Sequence, residues 1–212
     1  MWPFGNGGGA QPYSLPLFPL RTVLFPDGLL ELKIFEARYL DLMSRCLREQ
    51  APFGVVALRA GSEARSAAGE PVQLYEVGTL AELIDVDSAQ AGILLVRCRG
   101  TRRFVVGATR QERDGLWLAD TTPIDNDPPA APTASQAHVV KSLADAIATL
   151  AAQGAEPFLA PHRLDDAGWV ANRWCEILPL PLEAKQRLMT LEDPVARLEV
   201  VDSLMRVRHQ KQ

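Results

Sequence analysis

Cysteines are few in this sequence, and none is placed for a metal site or a disulfide framework. Among 212 residues there are three, Cys46, Cys98 and Cys175, which are far apart and outside any CxxC spacing. An odd number of cysteines without a spacing pattern predicts neither a zinc site nor a set of disulfides. A reducing, cytoplasmic setting fits this cysteine usage best.

Long apolar runs and a strong excess of charge are also absent. No segment reaches the roughly eighteen consecutive apolar residues of a transmembrane helix, and the N-terminus has no basic region leading into an apolar run. The net charge of -4 gives no overall attraction to nucleic acid or to anionic lipid. Because 47% of the residues are hydrophobic and 23% are charged, the chain can bury a core. We predict a soluble protein without a membrane partner.

Catalytic motifs are missing as well. None of the four lysines follows the glycines of a GxxxxGK[ST] loop, which excludes an ATP-binding module of that type. The histidines at positions 138, 162 and 209 are isolated and form no HExxH or HxH motif. A cysteine and a histidine could still be brought together by the fold, although cysteines in strands and helices are usually structural. We therefore predict no catalytic residue, no cofactor and no metal.

Residues 15–39, LPLFPLRTVLFPDGLLELKIFEARY, organise the first part of the chain. Pro16 and Pro19 cannot donate ladder hydrogen bonds, which predicts a strand that lies at a sheet edge or ends quickly. The FPDG sequence at 25–28 predicts a turn. The next strand alternates apolar and charged residues, and Glu36 then opens a helix whose apolar residues recur at helical spacing, namely Tyr39, Leu40, Met43 and Leu47.

Strand patterns continue through GVVAL at 54–58 and from Leu74 onward. The runs GILLVRCR and RRFVVGATRQ flank Gly100-Thr101, which predicts a two-residue hairpin turn. Asp114-Gly115 predicts a second hairpin that leads into LWLADT. With the strands before the first helix, this meander gives six or so strands, enough to curl into a small barrel or pseudo-barrel.

Amino-acid composition and the spacing of apolar residues divide the chain into four segments. The first is rich in glycine and lacks periodicity, although its Trp2 and Phe4 could dock on a groove. A stretch rich in proline and alanine later separates strand patterns from helical ones. We predict a flexible lead-in, a β-rich domain, a linker and a bundle of about four helices, at residues 1–12, 13–122, 123–135 and 136–212, respectively.

Several of these motifs together resemble the amino-terminal substrate-binding domain of Lon proteases. They are FPLRTVLFP, LELKIFEARYLDLM, PFGVVAL at 52–58 and LYEVGTLAELID at 74–85, followed by RCRGTRRFVV and by EDPVARLEVVDSL. The resemblance implies an α+β fold, with a β-rich pseudo-barrel similar to the PUA class and one helix, followed by a helical bundle. It also implies polypeptide binding, here in a free-standing member without ATPase or protease domains.

One spacing invites comparison with the catalytic dyad of Lon. Ser142 and Lys185 are 43 residues apart, a separation like that of the dyad. Ser142 lies within the helical pattern VVKSLADAI and not on a turn that would expose a nucleophile beside an oxyanion hole. We interpret this spacing as coincidence.

Six arginines between positions 97 and 113 face a single acid, Glu112, and form the first candidate binding site. Strand alternation places Arg97 and Arg99 on one face, and the predicted hairpin could bring Arg102 or Arg103 near them. These arginines could bind acidic peptide segments, a chain carboxylate or RNA phosphates. The alternative is a solvated sheet face that discourages edge pairing.

The FEARY segment is the second candidate. Glu36 and Arg38 flank the junction of strand and helix, and either could hydrogen-bond across to the FPLRT strand, which contains Arg21. A groove between this helix and the proline-bounded edge could take an extended peptide by strand addition, or the two residues could form an internal salt bridge that fixes the junction.

We therefore predict a non-catalytic polypeptide-binding protein whose partners are unfolded or specific polypeptides. The alternative is an RNA-binding PUA-like module that uses the arginines, although the acidic net charge and sparse aromatics count against nucleic acid. No constellation of residues supports a hydrolase.

Overall fold

The computed structural model describes residues 13–61 and 72–209. It confirms the α+β class, with the strands first and the helical bundle last. In chain order the elements are β1 (Tyr13–Leu20), β2 (Leu29–Ile34), α1 (Ala37–Glu49), β3 (Phe53–Ala60), β4 (Gln73–Gln90), β5 (Ile93–Gln111), β6 (Trp117–Pro123), α2 (Ala137–Ala152), α3 (Ala167–Ile177), α4 (Leu182–Thr190) and α5 (Pro194–His209). The lead-in with Trp2 and Phe4 lies outside the described residues.

The described chain forms two compact units. Residues 13–24, 30–61 and 72–125 make the β unit, and residues 25–29 and 126–209 make the helical unit. The change of unit after Asp125 lies inside the segment that the sequence analysis takes as a linker. Residues 25–29 were predicted to belong to the β-rich domain. They belong instead to the helical unit, because their contacts are with residues of that unit.

The six strands of the β unit form one sheet in the order β2-β5-β4-β3-β1-β6, with a further pairing between β5 and β6. Because β6 pairs with both β1 and β5, the five strands β5, β4, β3, β1 and β6 form a closed ring of pairings. Strand β2 pairs with β5 and is not part of this ring. The predicted curled sheet is thus confirmed.

Strand β5 corrects the prediction of a hairpin turn at Gly100-Thr101. It runs without interruption through both residues, and Gly100 lies opposite Ala81 of β4 while Arg103 lies opposite Thr79. From Gly100 to Arg103 the chain of β5 advances three residues while β4 advances two, so β5 contains one extra residue there. The glycine therefore lies at a β-bulge and not in a turn. The turn between β4 and β5 falls at Gly92, whose φ of 78° suits glycine.

Strand β1 corrects the prediction of a sheet edge. It lies between β3 and β6, pairing with β6 from Tyr13 to Leu17 and with β3 from Leu17 to Leu20. The two ladders share only Leu17. Each neighbouring strand therefore pairs with only about half of β1. A proline is tolerated where its nitrogen points to the side on which no ladder hydrogen bond is needed.

Alternation along the strands places two apolar cores on opposite faces of the sheet. One contains Leu15 and Leu17 of β1, with Phe104 of β5. The other contains Phe18 and Leu20 and is covered by α1, whose buried residues are Arg38, Tyr39, Leu42, Met43 and Cys46. Of the predicted stripe on this helix, Leu47 is exposed, because the buried face is centred on Tyr39 and Met43.

The helical unit has α3 as its buried centre, and every residue from Ala167 to Cys175 is buried. Aspartate side chains cap the starts of two of its helices. Asp166 accepts a hydrogen bond from the Trp169 N–H, and Asp193 accepts from the N–H groups of the second and third residues of α5, behind Pro194. No helix in the described part of the chain is long and apolar enough to cross a membrane.

A buried guanidinium holds residues 25–29 within the helical unit. Arg173, which is fully buried, donates to the carbonyl oxygens of Asp27 at 2.6 Å and Pro26 at 2.9 Å. It also pairs with Glu176 at 2.7 Å. Burial raises the pKa of Glu176 to about 7, although the Arg173 charge opposes that shift. The loop is therefore fixed by bonds to α3 and not only by its own turn.

A second buried arginine fixes the start of the linker segment. Arg197 of α5 pairs with Asp127 at 2.6 Å and donates to the Leu188 carbonyl at 3.0 Å. The Ala130 carbonyl accepts from the Ala167 N–H at 2.7 Å. These bonds make the part of the segment that follows Asp125 an ordered part of the helical unit.

We expect Arg173→Met to lower the free energy of unfolding by about 3–5 kcal/mol, because the half-buried Glu176 carboxylate and the carbonyl oxygens of Pro26 and Asp27 would lose their common donor. Urea unfolding followed by far-UV circular dichroism measures this change. The control is Arg187→Met on α4, which removes an exposed partner of Glu183 and should change stability by less than about 0.5 kcal/mol. Equal effects of the two substitutions would contradict the structural role of Arg173.

Candidate functional site

The arginines at 97 and 99 lie on the exposed face of the long β4–β5 hairpin. The register places Arg97 opposite Asp85 and Arg99 opposite Glu82. Between Leu83 and Asp85 a β-bulge adds one residue to β4, which turns Ile84 toward the same face. We call this the hairpin face and define it as Glu82, Ile84, Asp85, Asp87, Leu95, Arg97 and Arg99.

Charges on the hairpin face and the adjoining strand β2 nearly balance. Arg97 contacts Glu31 of β2 at 3.3 Å, while Glu82, Asp85 and Asp87 stand on β4. With the exposed Lys33, three basic residues face four acidic ones. The local excess of positive charge in the sequence is therefore neutralised by neighbouring strands.

The remaining arginines of the cluster are dispersed. Arg103 is 4% exposed and donates to the Asp125 carbonyl at 3.5 Å, so it does not join Arg97 and Arg99. Arg110 donates to Ser14 at 2.7 Å and lies 3.5 Å from Asp120. Arg113 stands exposed in the turn before β6. The cluster is contiguous in sequence but not on the surface.

Glu36 and Arg38 form an ion pair at the start of α1. The distance between their charged atoms is 2.7 Å, and Arg38, which is 7% exposed, also donates to the Gly115 carbonyl at 2.9 Å. Its guanidinium lies 4.7 Å from the centre of the Tyr39 ring. These contacts tie the helix start to the turn before β6.

Arg21 donates to the Gly61 carbonyl at 2.7 Å, at the end of β3. The six residues proposed from the sequence therefore fall into four places: the hairpin face for Arg97 and Arg99, the start of α1 for Glu36 and Arg38, and one separate position each for Arg21 and Arg103. Strand β1 has a neighbouring strand on each side, so its prolines do not border a free sheet edge for strand addition.

A groove of about 200 Å³ lies between the end of α1 and β1, and neither Glu36 nor Arg38 is among its lining residues. It is lined by Ser14, Pro16, Arg45, Cys46, Glu49, Ala51, Pro52, Glu112 and Leu118. These residues come from four separate parts of the chain. From the sequence alone, only Arg45 and Glu49 can be placed on the same side of one helix. The position of Leu118 beside Ser14 and Pro16 depends on the pairing of β1 with β6.

The cysteines offer no activated nucleophile. Burial raises the pKa of Cys46 to about 11 and that of Cys98 to about 12, and it raises the pKa of Cys175 to about 12. A nucleophilic cysteine needs the thiolate form near neutral pH, which these environments oppose. The described ring contacts of His138 and His162 are with Ser135, Asp202 and Trp169.

The other catalytic pattern also has no support in the geometry. Ser142 is exposed in the middle of α2, and Lys185 of α4 donates to the Glu176 carbonyl at 3.0 Å. Within residues 13–61 and 72–209, no group of three or more His, Cys, Asp or Glu side chains could hold a metal ion.

Comparison with known proteins assigns the chain to a family. The model of the substrate-binding domain of the ATP-dependent protease La (Lon) matches residues 14–207. The chain belongs to this Lon substrate-binding domain family. Its pseudo-barrel and following helices are the architecture that the resemblance to Lon implied.

Similar sequences and structures agree with this assignment. Lon protease of Anaeromyxobacter dehalogenans is 24% identical over 92% of this chain, and Lon protease 2 of Myxococcus xanthus is 25% identical over 92%. The chain spans about a quarter of the length of these relatives, 23% and 24%.

Two solved structures share the fold. The crystal structure of a Lon N-terminal domain protein from Xanthomonas campestris is 31% identical with a TM-score of 0.71, covering 90% of this chain and 98% of that one. The N-terminal domain of Mycobacterium avium complex Lon protease has a TM-score of 0.60 at 18% identity, covering 89% and 96%.

We expect all three cysteines to resist a thiol-specific reagent in the native protein at pH 8, because burial holds each thiol in its protonated form. In denaturing urea all three should react, which gives the matched control. Counting modified thiols by mass spectrometry measures both reactions. Rapid modification of one cysteine in the folded protein would reveal an accessible thiolate and revive a nucleophilic role.

Proposed function

We propose that this protein is a non-catalytic polypeptide-binding module that recognises unfolded or specific polypeptides. The observation that carries the proposal is the match of residues 14–207 to the Lon substrate-binding domain. The solved relative from Xanthomonas campestris supports it, because 98% of that N-terminal domain protein is covered at 31% identity. A shared fold alone does not fix a partner, so the surface must supply the binding.

The hairpin face is the surface that we propose for this binding, and it includes the sequence candidates Arg97 and Arg99. Ile84 is 47% exposed and Leu95 is 44% exposed, although both belong to residue types that are usually buried. Charged residues of both signs surround them. Unfolded polypeptides expose apolar side chains between polar ones, and a face of mixed apolar and charged character suits such segments.

The non-catalytic part of the proposal is supported by the state of the candidate nucleophiles. Each cysteine is buried with a raised pKa, and Ser142 lies within a helix without the turn that presents a nucleophile. The three free cysteines also fit a reducing compartment, and we propose a cytoplasmic location.

RNA binding has less support than polypeptide binding. Phosphate recognition depends on uncompensated basic side chains, whereas Arg97 pairs with Glu31 and Arg110 lies beside Asp120. The distribution of charge on the hairpin face favours polypeptide over nucleic acid.

We expect the immobilised protein to retain a reduced and carbamidomethylated model protein, which is permanently unfolded. Replacing Ile84 and Leu95 by threonine should weaken retention by roughly fivefold to tenfold, because apolar contact area is lost while strand propensity is kept. Titration by fluorescence anisotropy measures the affinity.

The control is Val200→Thr with Val207→Thr on α5, which changes two other exposed apolar residues. Equal weakening by the control would move the binding surface away from the hairpin face. Failure of the wild-type protein to retain any unfolded protein would refute the proposed function.

A further inference from the structure

The groove beside the end of α1 combines an apolar floor with a charged rim. Its apolar lining consists of Pro16, Cys46, Ala51, Pro52 and Leu118. Its charged lining consists of Arg45, Glu49 and Glu112. The volume of about 200 Å³ is several times the roughly 30 Å³ that a water molecule occupies in the liquid. One long side chain can therefore enter it.

Electrostatics of the groove favour a cation. Among the lining residues, two carboxylates, Glu49 and Glu112, stand against one guanidinium, Arg45. Two more guanidinium groups lie next to the lining: Arg110, which donates to Ser14, is paired with a carboxylate of its own, and Arg48, 4.0 Å from Glu49, is 70% exposed. The rim lies at the C-terminal end of the thirteen-residue helix α1, where the helix dipole adds partial negative charge. The lining thus carries a small negative excess beside an apolar surface.

The charged groups of the rim are available to a ligand. Among the described residues, neither Arg45 nor Glu112 makes a side-chain hydrogen bond or ion pair, and Glu49 has only a 4.0 Å contact with Arg48. Glu49 is 46% exposed, so its carboxylate reaches solvent. A bound group would replace water at these carboxylates without breaking an internal salt bridge.

We propose that this groove binds a lysine or arginine side chain of a polypeptide held by the module. The aliphatic stem would lie on the apolar floor and the cationic head would meet Glu49 and Glu112, since such side chains bury their stems and keep their charges at polar positions. The inference rests on the proposed function and gives it a specificity: segments with a basic residue are preferred.

Other occupants fit the groove less well. A carboxylate side chain would meet two like charges and the negative end of a helix, which disfavours it. A purely apolar side chain would fill the floor but would desolvate the rim carboxylates without replacing their hydrogen bonds. A basic side chain is the ligand that satisfies both parts of the groove.

Three fluorescent peptides test the proposal. They share a sequence of glycine, serine and leucine and differ at one central position, which is lysine, norleucine or glutamate. Norleucine keeps the stem of lysine without its charge. We expect the wild-type protein to bind the lysine peptide about fivefold more tightly than the norleucine peptide, with the glutamate peptide weakest, as measured by fluorescence anisotropy.

The variant Glu49→Gln with Glu112→Gln should bind the lysine and norleucine peptides equally, because it removes both rim charges and keeps their shape. Glu192→Gln with Glu199→Gln makes the same change of net charge at exposed sites of the helical unit and should keep the preference for lysine. Thermal unfolding of each variant verifies that the fold is retained.

A preference for lysine that survives in the Glu49 and Glu112 variant would overturn the groove assignment, while binding of the peptides would leave the proposed function standing. Absence of binding by all three peptides would also overturn it. Retention of the unfolded model protein then decides separately whether the module binds polypeptides at all.

Discussion

The β unit depends on the hydrogen bonding of one long strand. β5 has nineteen residues and pairs with β2, β4 and β6 at different parts of its length. Closure of the sheet requires this strand to change neighbours, and the bulge at Gly100 lies before the part that pairs with β6. Bulges bend a strand and increase its twist, which allows one strand to serve both the hairpin and the closed part of the sheet.

The same strand explains why an excess of positive charge along the sequence does not become an excess of positive charge on the surface. Arginines at alternating positions share a face, but their neighbours in space come from β2 and β4, which supply Glu31, Glu82 and Asp85. A ladder of opposite charges across strands stabilises the sheet modestly and removes the strong positive potential that phosphate binding needs. Polypeptide recognition, which uses apolar contacts and mixed charge, is compatible with such a surface.

Much of the fold was predictable from local patterns. The alternation in β2 and the Asp114-Gly115 turn depend on neighbouring residues, and each was confirmed. The errors concern long-range pairing. A glycine followed by a small polar residue suits a hairpin turn, and only the register with Ala81 identifies Gly100 as a bulge. The full lining of the groove could not be predicted, because it joins α1 to Glu112 and Leu118, which are far away in sequence.

Residues 25–29 have a consequence for how this protein can be divided. The chain leaves the β unit after Leu24, contributes five residues to the helical unit, and returns at Leu30. A fragment that begins at Asn126 would therefore lack the carbonyl oxygens to which Arg173 donates. Neither unit is a continuous stretch of sequence. Recombination or truncation at the linker would therefore separate residues 25–29 from the helices to which they are hydrogen-bonded.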